Sequence, residues 1–225
     1  MSTKIQEVGG ASTVATNPSL ATTIAATGSG NALIVVAYIN SGGTASISGA
    51  GGTWAAVLAD TINKVYAWIN TNPTAGSTSV TVGSSVNSHF TVFATERSGL
   101  KASGLTFASA VLNGTALTAW SSNTVSNTVP VFSLAICQQG GGGTDTSTAG
   151  TGYAATSGTG ISTSTVLNGS EGDTLAVHAG EFAAGTLQGL GTWAVATNCE
   201  IYVIGVELAP AANGPYYPLE TSLYA

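Results

Sequence analysis

Apolar residues in this chain come in short runs of strand length, cut apart by clusters of glycine, serine and threonine, and no segment keeps a helical period over roughly 11 residues or more. Runs bounded by turn formers in this way read as β-strands. They predict strands over Ala32–Asn40, Thr53–Ala59, Lys64–Asn70, Thr78–Val82, Ser88–Arg97, Thr128–Gln138, Ser162–Leu167, Thr174–Phe182, Gly191–Thr197 and Glu200–Leu208. Alternation assigns faces: Phe90, Val92 and Ala94 share one, and Phe132, Leu134 and Ile136 share another. The best helical candidate is Thr106–Leu112. Strands at this spacing imply an all-β fold, an antiparallel, jelly-roll-like β-sandwich. The turn between two of them is Asn72–Gly76, where Pro73 fixes φ and Gly76 can take a positive one.

The sandwich is expected over residues 1–209, as one large domain or two similar halves near 20–100 and 125–209. The case for halves is an echo. Gly52-Thr-Trp-Ala55 precedes Lys64-Val-Tyr-Ala-Trp68, and Gly191-Thr-Trp-Ala194 precedes Glu200-Ile-Tyr-Val-Ile204. The competing explanation is chance matching in a β-rich sequence of few residue types. The glycine run Gly140–Gly143 reads as a mobile loop or a place where another chain comes close. The stretch Asp145–Gly160 reads as a long exposed hairpin. Residues 210–225 differ: Pro210, Pro215 and Pro218 favour an extended arm. Its Tyr216, Tyr217, Leu219, Leu223 and Tyr224 are too apolar for a free tail. They form a candidate partner-binding arm that either docks on a neighbouring subunit or folds back over its own core.

Charged residues make up only 6% of the chain, against about 25% in typical domains, so its surface must be hydrated by Ser, Thr, Asn, Gln and backbone. Such a surface repels neighbours weakly and suits side-by-side packing in an assembly. With four cations and a net charge of −6, no basic stripe exists to neutralise phosphates, which excludes nucleic acid as a partner. A membrane is excluded as a partner too, because the longest apolar run, Ala32–Ile39, falls far short of the roughly 20 residues a spanning helix needs. The N-terminus carries no apolar stretch of the kind a secretory signal needs.

Carboxylates, histidines and serines show no catalytic spacing. Glu171-Gly-Asp173 reads as a turn, and Glu96 beside Arg97 as a local ion pair or a loop cap. His89 and His178 fall in predicted strands without the three or four converging ligands a zinc ion requires. No Gly-x-Ser-x-Gly elbow sits between a strand and a helix, and no lysine follows the glycine clusters as in a phosphate loop. The chain is therefore expected to be no enzyme and to need no cofactor or metal. Cys137 and Cys199 lack metal or redox spacing and read as reduced, buried thiols, although the sequence leaves their pairing open. Trp54, Trp68, Trp120 and Trp193 have the chemistry of a sugar-stacking platform. Trp54 and Trp193 are assigned to the core, and Trp120, in the polar context Thr118-Ala-Trp-Ser-Ser-Asn123, is the candidate for glycan stacking.

The order Gly51-Gly-Thr-Trp54, then Lys64-Val-Tyr-Ala-Trp-Ile-Asn-Thr-Asn-Pro-Thr-Ala-Gly-Ser-Thr-Ser-Val-Thr-Val82, then Ala94-Thr-Glu-Arg-Ser-Gly-Leu100 resembles β-sandwich proteins of tailed bacteriophage particles. The resemblance covers about Ala32–Leu100 and transfers no functional residues. It implies a virion protein assembled in the host cytoplasm. The first role it implies is capsid decoration, or cement, with copies of itself and the major capsid protein as partners. The second is a tail or fibre module that binds host-surface carbohydrate.

Overall fold

A strand with one face in water alternates apolar and polar residues, so an unbroken run such as Ala32–Ile39 belongs where both faces are covered. In the computed structural model that is where it lies. The structure describes residues 2–11, 17–41, 43–101, 106–109, 114–139, 146–153, 165–168 and 174–209. The first eight strands are β1 (Thr3–Ala11), β2 (Asn17–Thr23), β3 (Ala32–Ile39), β4 (Ala45–Gly49), β5 (Trp54–Asp60), β6 (Val65–Asn70), β7 (Ser79–Ser88) and β8 (Phe90–Ser98). They form an inner sheet, β1-β8-β3-β6-β5, and an outer sheet, β2-β7-β4, antiparallel throughout.

The remaining strands are β9 (Thr106–Ser109), β10 (Gly114–Ser121), β11 (Val125–Asn127), β12 (Val131–Gln139), β13 (Ser147–Ala149), β14 (Thr165–Asn168), β15 (Thr174–Phe182), β16 (Gly185–Leu187) and β17 (Leu190–Glu207). Their main sheet runs β10-β17-β12-β15-β14, with β9 and β13 also on β17, and β11 pairs with β16 outside it. Adding nine to each strand number converts the first inner sheet into the second, and the pair β2–β7 into β11–β16. The order occurs twice. The copies differ at β13, which joins β17 where its counterpart β4 joins β7.

Side-chain alternation then stacks four layers. Ile34, Val36, Val65, Ala67 and Phe93 of the first inner sheet meet Phe132, Leu134, Val177, Tyr202 and Ile204 of the second in one central core. The opposite face of β3, with Leu33, Val35, Ala37 and Ile39, packs with Phe90, Val92 and Ala94 under Val80 and Val82 of the outer sheet. A third core gathers Ala135, Cys137, Ala176, Ile201 and Val203 with Tyr153, Leu187 and Trp193. Both face assignments read from the sequence hold, Phe90 toward the outer sheet and Phe132 toward the centre.

Polar ties cross the central core. Arg97, wholly buried, pairs with Glu7 at 3.3 Å and lies 4.2 Å over the Phe132 ring of the other inner sheet. Burial pulls its guanidinium down to about 10, with Glu7 working against the shift. The Ser2 backbone N–H donates to Glu181, and the Tyr202 hydroxyl donates to Asp60 at 3.1 Å. Past the end of β8, Lys101 pairs with Glu207 of β17 at 2.9 Å.

Several expectations need correction. Gly191–Thr197 and Glu200–Leu208 are one continuous strand, so the Trp193 echo falls on β17, whereas the topological counterpart of β5–β6 is β14–β15. Thr106–Ser109, part of the helical candidate, is a strand on β17, because an open ladder edge outweighs weak local preference. Glu96 and Arg97 do not form a local pair, since consecutive strand residues point to opposite faces. The other expectation for Glu96, a loop cap, holds: between β2 and β3 it accepts from the Gly28 N–H at 2.7 Å and the Asn31 side chain at 2.6 Å, and it also accepts from Gln6. The turn at Asn72–Gly76 forms, with Gly76 at φ +83°. Gly140–Gly143, Glu171–Asp173, half of the proposed hairpin at Asp145–Gly160 and the whole arm 210–225 lie outside the described residues.

Candidate functional site

Glycine decides where the first sandwich opens. Gly49, Ala50, Gly51 and Gly52 take φ of +89°, +56°, +60° and +67°, a left-handed run that side chains other than glycine resist. It lifts the chain off the outer sheet at β4 and sets it down as β5 on the inner sheet, beside β6. The Asn70 side chain fixes the turn by donating to the Gly51 carbonyl at 2.5 Å. β4 and β5 therefore share no ladder, and a cleft of about 330 Å³ remains between them.

Tyr66 and Trp68, two residues apart on β6, line this cleft, their rings parallel to within 12° and 5.8 Å apart. Ala45 stands on the β4 side and Ala56 and Ala59 on the β5 side. A register shift between Ala56 and Leu58 sends Val57 and Leu58 to the central core and leaves Ala56 and Ala59 exposed at the cleft. Thr44 and Thr61 add hydroxyls at the mouth, and the described lining carries no charge.

Tyr66 and Trp68 are only 5% and 7% exposed. Among the described residues, neither the Tyr66 hydroxyl nor the Trp68 indole N–H is hydrogen-bonded, and neither atom is sealed from solvent. Both atoms can therefore bond to water at the opening or exchange that water for a ligand oxygen. Burial raises the Tyr66 pKa, and the nearby Asp60 carboxylate raises it further, so the hydroxyl stays a donor at neutral pH.

Several polar side chains of the second half find partners inside the fold. The Tyr153 hydroxyl meets Ser133 Oγ at 3.0 Å, and His178 Nε2 meets Ser147 Oγ at 2.9 Å. Ser147 and His178 have the residue types of a nucleophile and base, but both are buried between strands. Cys137 and Cys199 are buried and unbridged; burial pushes the Cys137 thiol well up, and a hydrogen bond from it lowers Cys199. No cluster of metal-ligating side chains forms among the described residues. Among those residues, no helix is long and apolar enough to cross a membrane, which says nothing of a β-barrel.

Of the four tryptophans, Trp193 is in the core as expected, and Trp54 is half-buried with its indole N–H on the Gly49 carbonyl at 3.0 Å. Trp120 is not in a loop: its backbone pairs with Gly191 in β10, and its side chain lies outside the description. The arm residues Tyr216, Tyr217, Leu219, Leu223 and Tyr224 also lie outside it. Trp68 is the tryptophan the structure brings to an opening. Its sequence signal was the pair of aromatics two apart, Tyr66 and Trp68, which place two rings on one strand face.

The fold defines an all-β, antiparallel sandwich protein. No protein family, no curated protein and no solved structure matches the chain.

Proposed function

We propose that the protein is a non-catalytic structural subunit of a larger particle, a virion protein whose favoured role is capsid decoration. The observation that carries this reading is the four-layer stack. Both inner sheets use both faces to hold the molecule together, which leaves outer skins of mainly Ser, Thr, Ala and Gly to meet neighbours. Such skins carry little charge to repel another copy. A jelly-roll reading of the first half is supported by the order β1-β8-β3-β6 facing β2-β7-β4, an arrangement that recurs in capsid and lectin domains, and the second half repeats it except at β13. Fold does not by itself assign function, so the resemblance over Ala32–Leu100 and the sparse charge also support the reading.

Sedimentation of the purified chain across a concentration series, with cryo-electron microscopy of particles from its source, tests this. The expected result is self-association and many copies on the particle, contacting one another and the shell subunit. A chain that stays monomeric and sits on no particle overturns the reading. So does turnover of any substrate traced to converging side chains.

A further inference from the structure

We propose that the cleft between β4 and β5 binds a neutral sugar ring at the end of a glycan. The site does not depend on the chain being part of a virion. Tyr66 and Trp68 line the cleft with two parallel rings stacked at 5.8 Å, an aromatic wall against which the C–H groups of a sugar can pack. Their hydroxyl and indole N–H are unpaired among the described residues while the side chains are more than nine-tenths buried. Both donors still reach solvent, so a ligand oxygen can replace water on them, which a sugar offers and a hydrocarbon lacks. The described lining is uncharged, so neither an anion nor a cation is matched there. At about 330 Å³ the cleft falls at the small end of ligand pockets, which run roughly 300–1,000 Å³, suiting one ring rather than a long chain. Ala45, Ala56 and Ala59 keep the walls short enough for a ring to enter, and the hydroxyls of Thr44 and Thr61 stand at the mouth.

Saturation-transfer NMR with glucose, galactose, mannose and N-acetylglucosamine, backed by an array of neutral glycans, tests the assignment on the full chain. At least one neutral sugar is expected to bind and to change tryptophan fluorescence. Tyr66→Phe removes one donor and leaves the ring, and should weaken that binding about three- to tenfold. Ala59→Phe should fill the cleft and abolish binding without lowering the melting temperature. Trp68→Ala should also abolish it. Should Trp68→Ala fail to fold, Tyr66→Phe and Ala59→Phe still decide the matter. Three results overturn the proposal: no neutral sugar binds, binding survives Ala59→Phe, or the cleft takes only an apolar dye.

Discussion

On β6 the outward row carries Tyr66 and Trp68; on β15, its counterpart nine strands later, the same row carries Ala176, His178 and Gly180. β15 brings one large ring to the third core, Phe182 at its end, which lies 4.9 Å from Tyr153, and Tyr153 and Trp193 come from other segments. Tyr153 finds Ser133, and His178 finds Ser147. In the first half, β5 leaves the outer sheet, the large rings come from β6 itself, and their polar atoms face a gap. One strand order thus holds a cleft between β4 and β5 in the first copy, where the second places β13 on β17 instead. What separates them is where most of the large rings originate and whether the tyrosine hydroxyl meets a partner among the described residues, as it does at Tyr153 and not at Tyr66.

The widest effect on this comparison is expected at Phe132, which lies in the shared core under Arg97. Phe132→Ala should cost about 3–5 kcal/mol, with both halves unfolding in one urea transition seen alike by fluorescence and circular dichroism. Two separate transitions would show that the halves stand alone and would break the comparison. Next comes pH. Burial pulls the His178 pKa from 6.5 down to about 4, so the unfolded chain takes a proton where the folded chain refuses it. Stability from this group is full above pH 6.5 and falls as pH drops toward 4, by on the order of 3 kcal/mol. In His178→Gln, denaturation measured between those pH values should lose that slope. The smallest effect contrasts two hydroxyls. Tyr153→Phe should cost about 1 kcal/mol, because a buried bond is lost, while Tyr66→Phe should change stability by less than about 0.5 kcal/mol. Equal losses would mean that the Tyr66 hydroxyl is answered within the fold.

The inner strands were legible because burial on both faces writes itself as an apolar run: β3, β6, β8, β12 and β15 all sit where such runs occur. β1, β2 and β4 were missed. They are rich in Gly, Ser and Thr and lie at edges, where neighbours rather than composition decide pairing. Gly9 in β1 illustrates this, since a Cβ there would come within 2.3 Å of Leu167 on β14, a constraint invisible until the halves meet. β17 reads as two strands in sequence, Gly191–Thr197 and Glu200–Leu208, yet it runs on as one, its ladder to β10 absorbing register shifts. The cleft was not legible at all. Trp68 was among the candidate stacking residues, but an opening beside it depends on β5 crossing between sheets, which only the three-dimensional path reveals.

The central core has a consequence for how the chain is made. Its side chains come from both copies of the strand order, so neither inner face is shielded until the other exists. On a ribosome adding about 5–20 residues per second, the first inner sheet waits roughly 5–20 s for the rest of the chain. During that interval Ile34, Val36 and Phe93 present a bare greasy wall, the stage at which a nascent chain would most need a chaperone's cover.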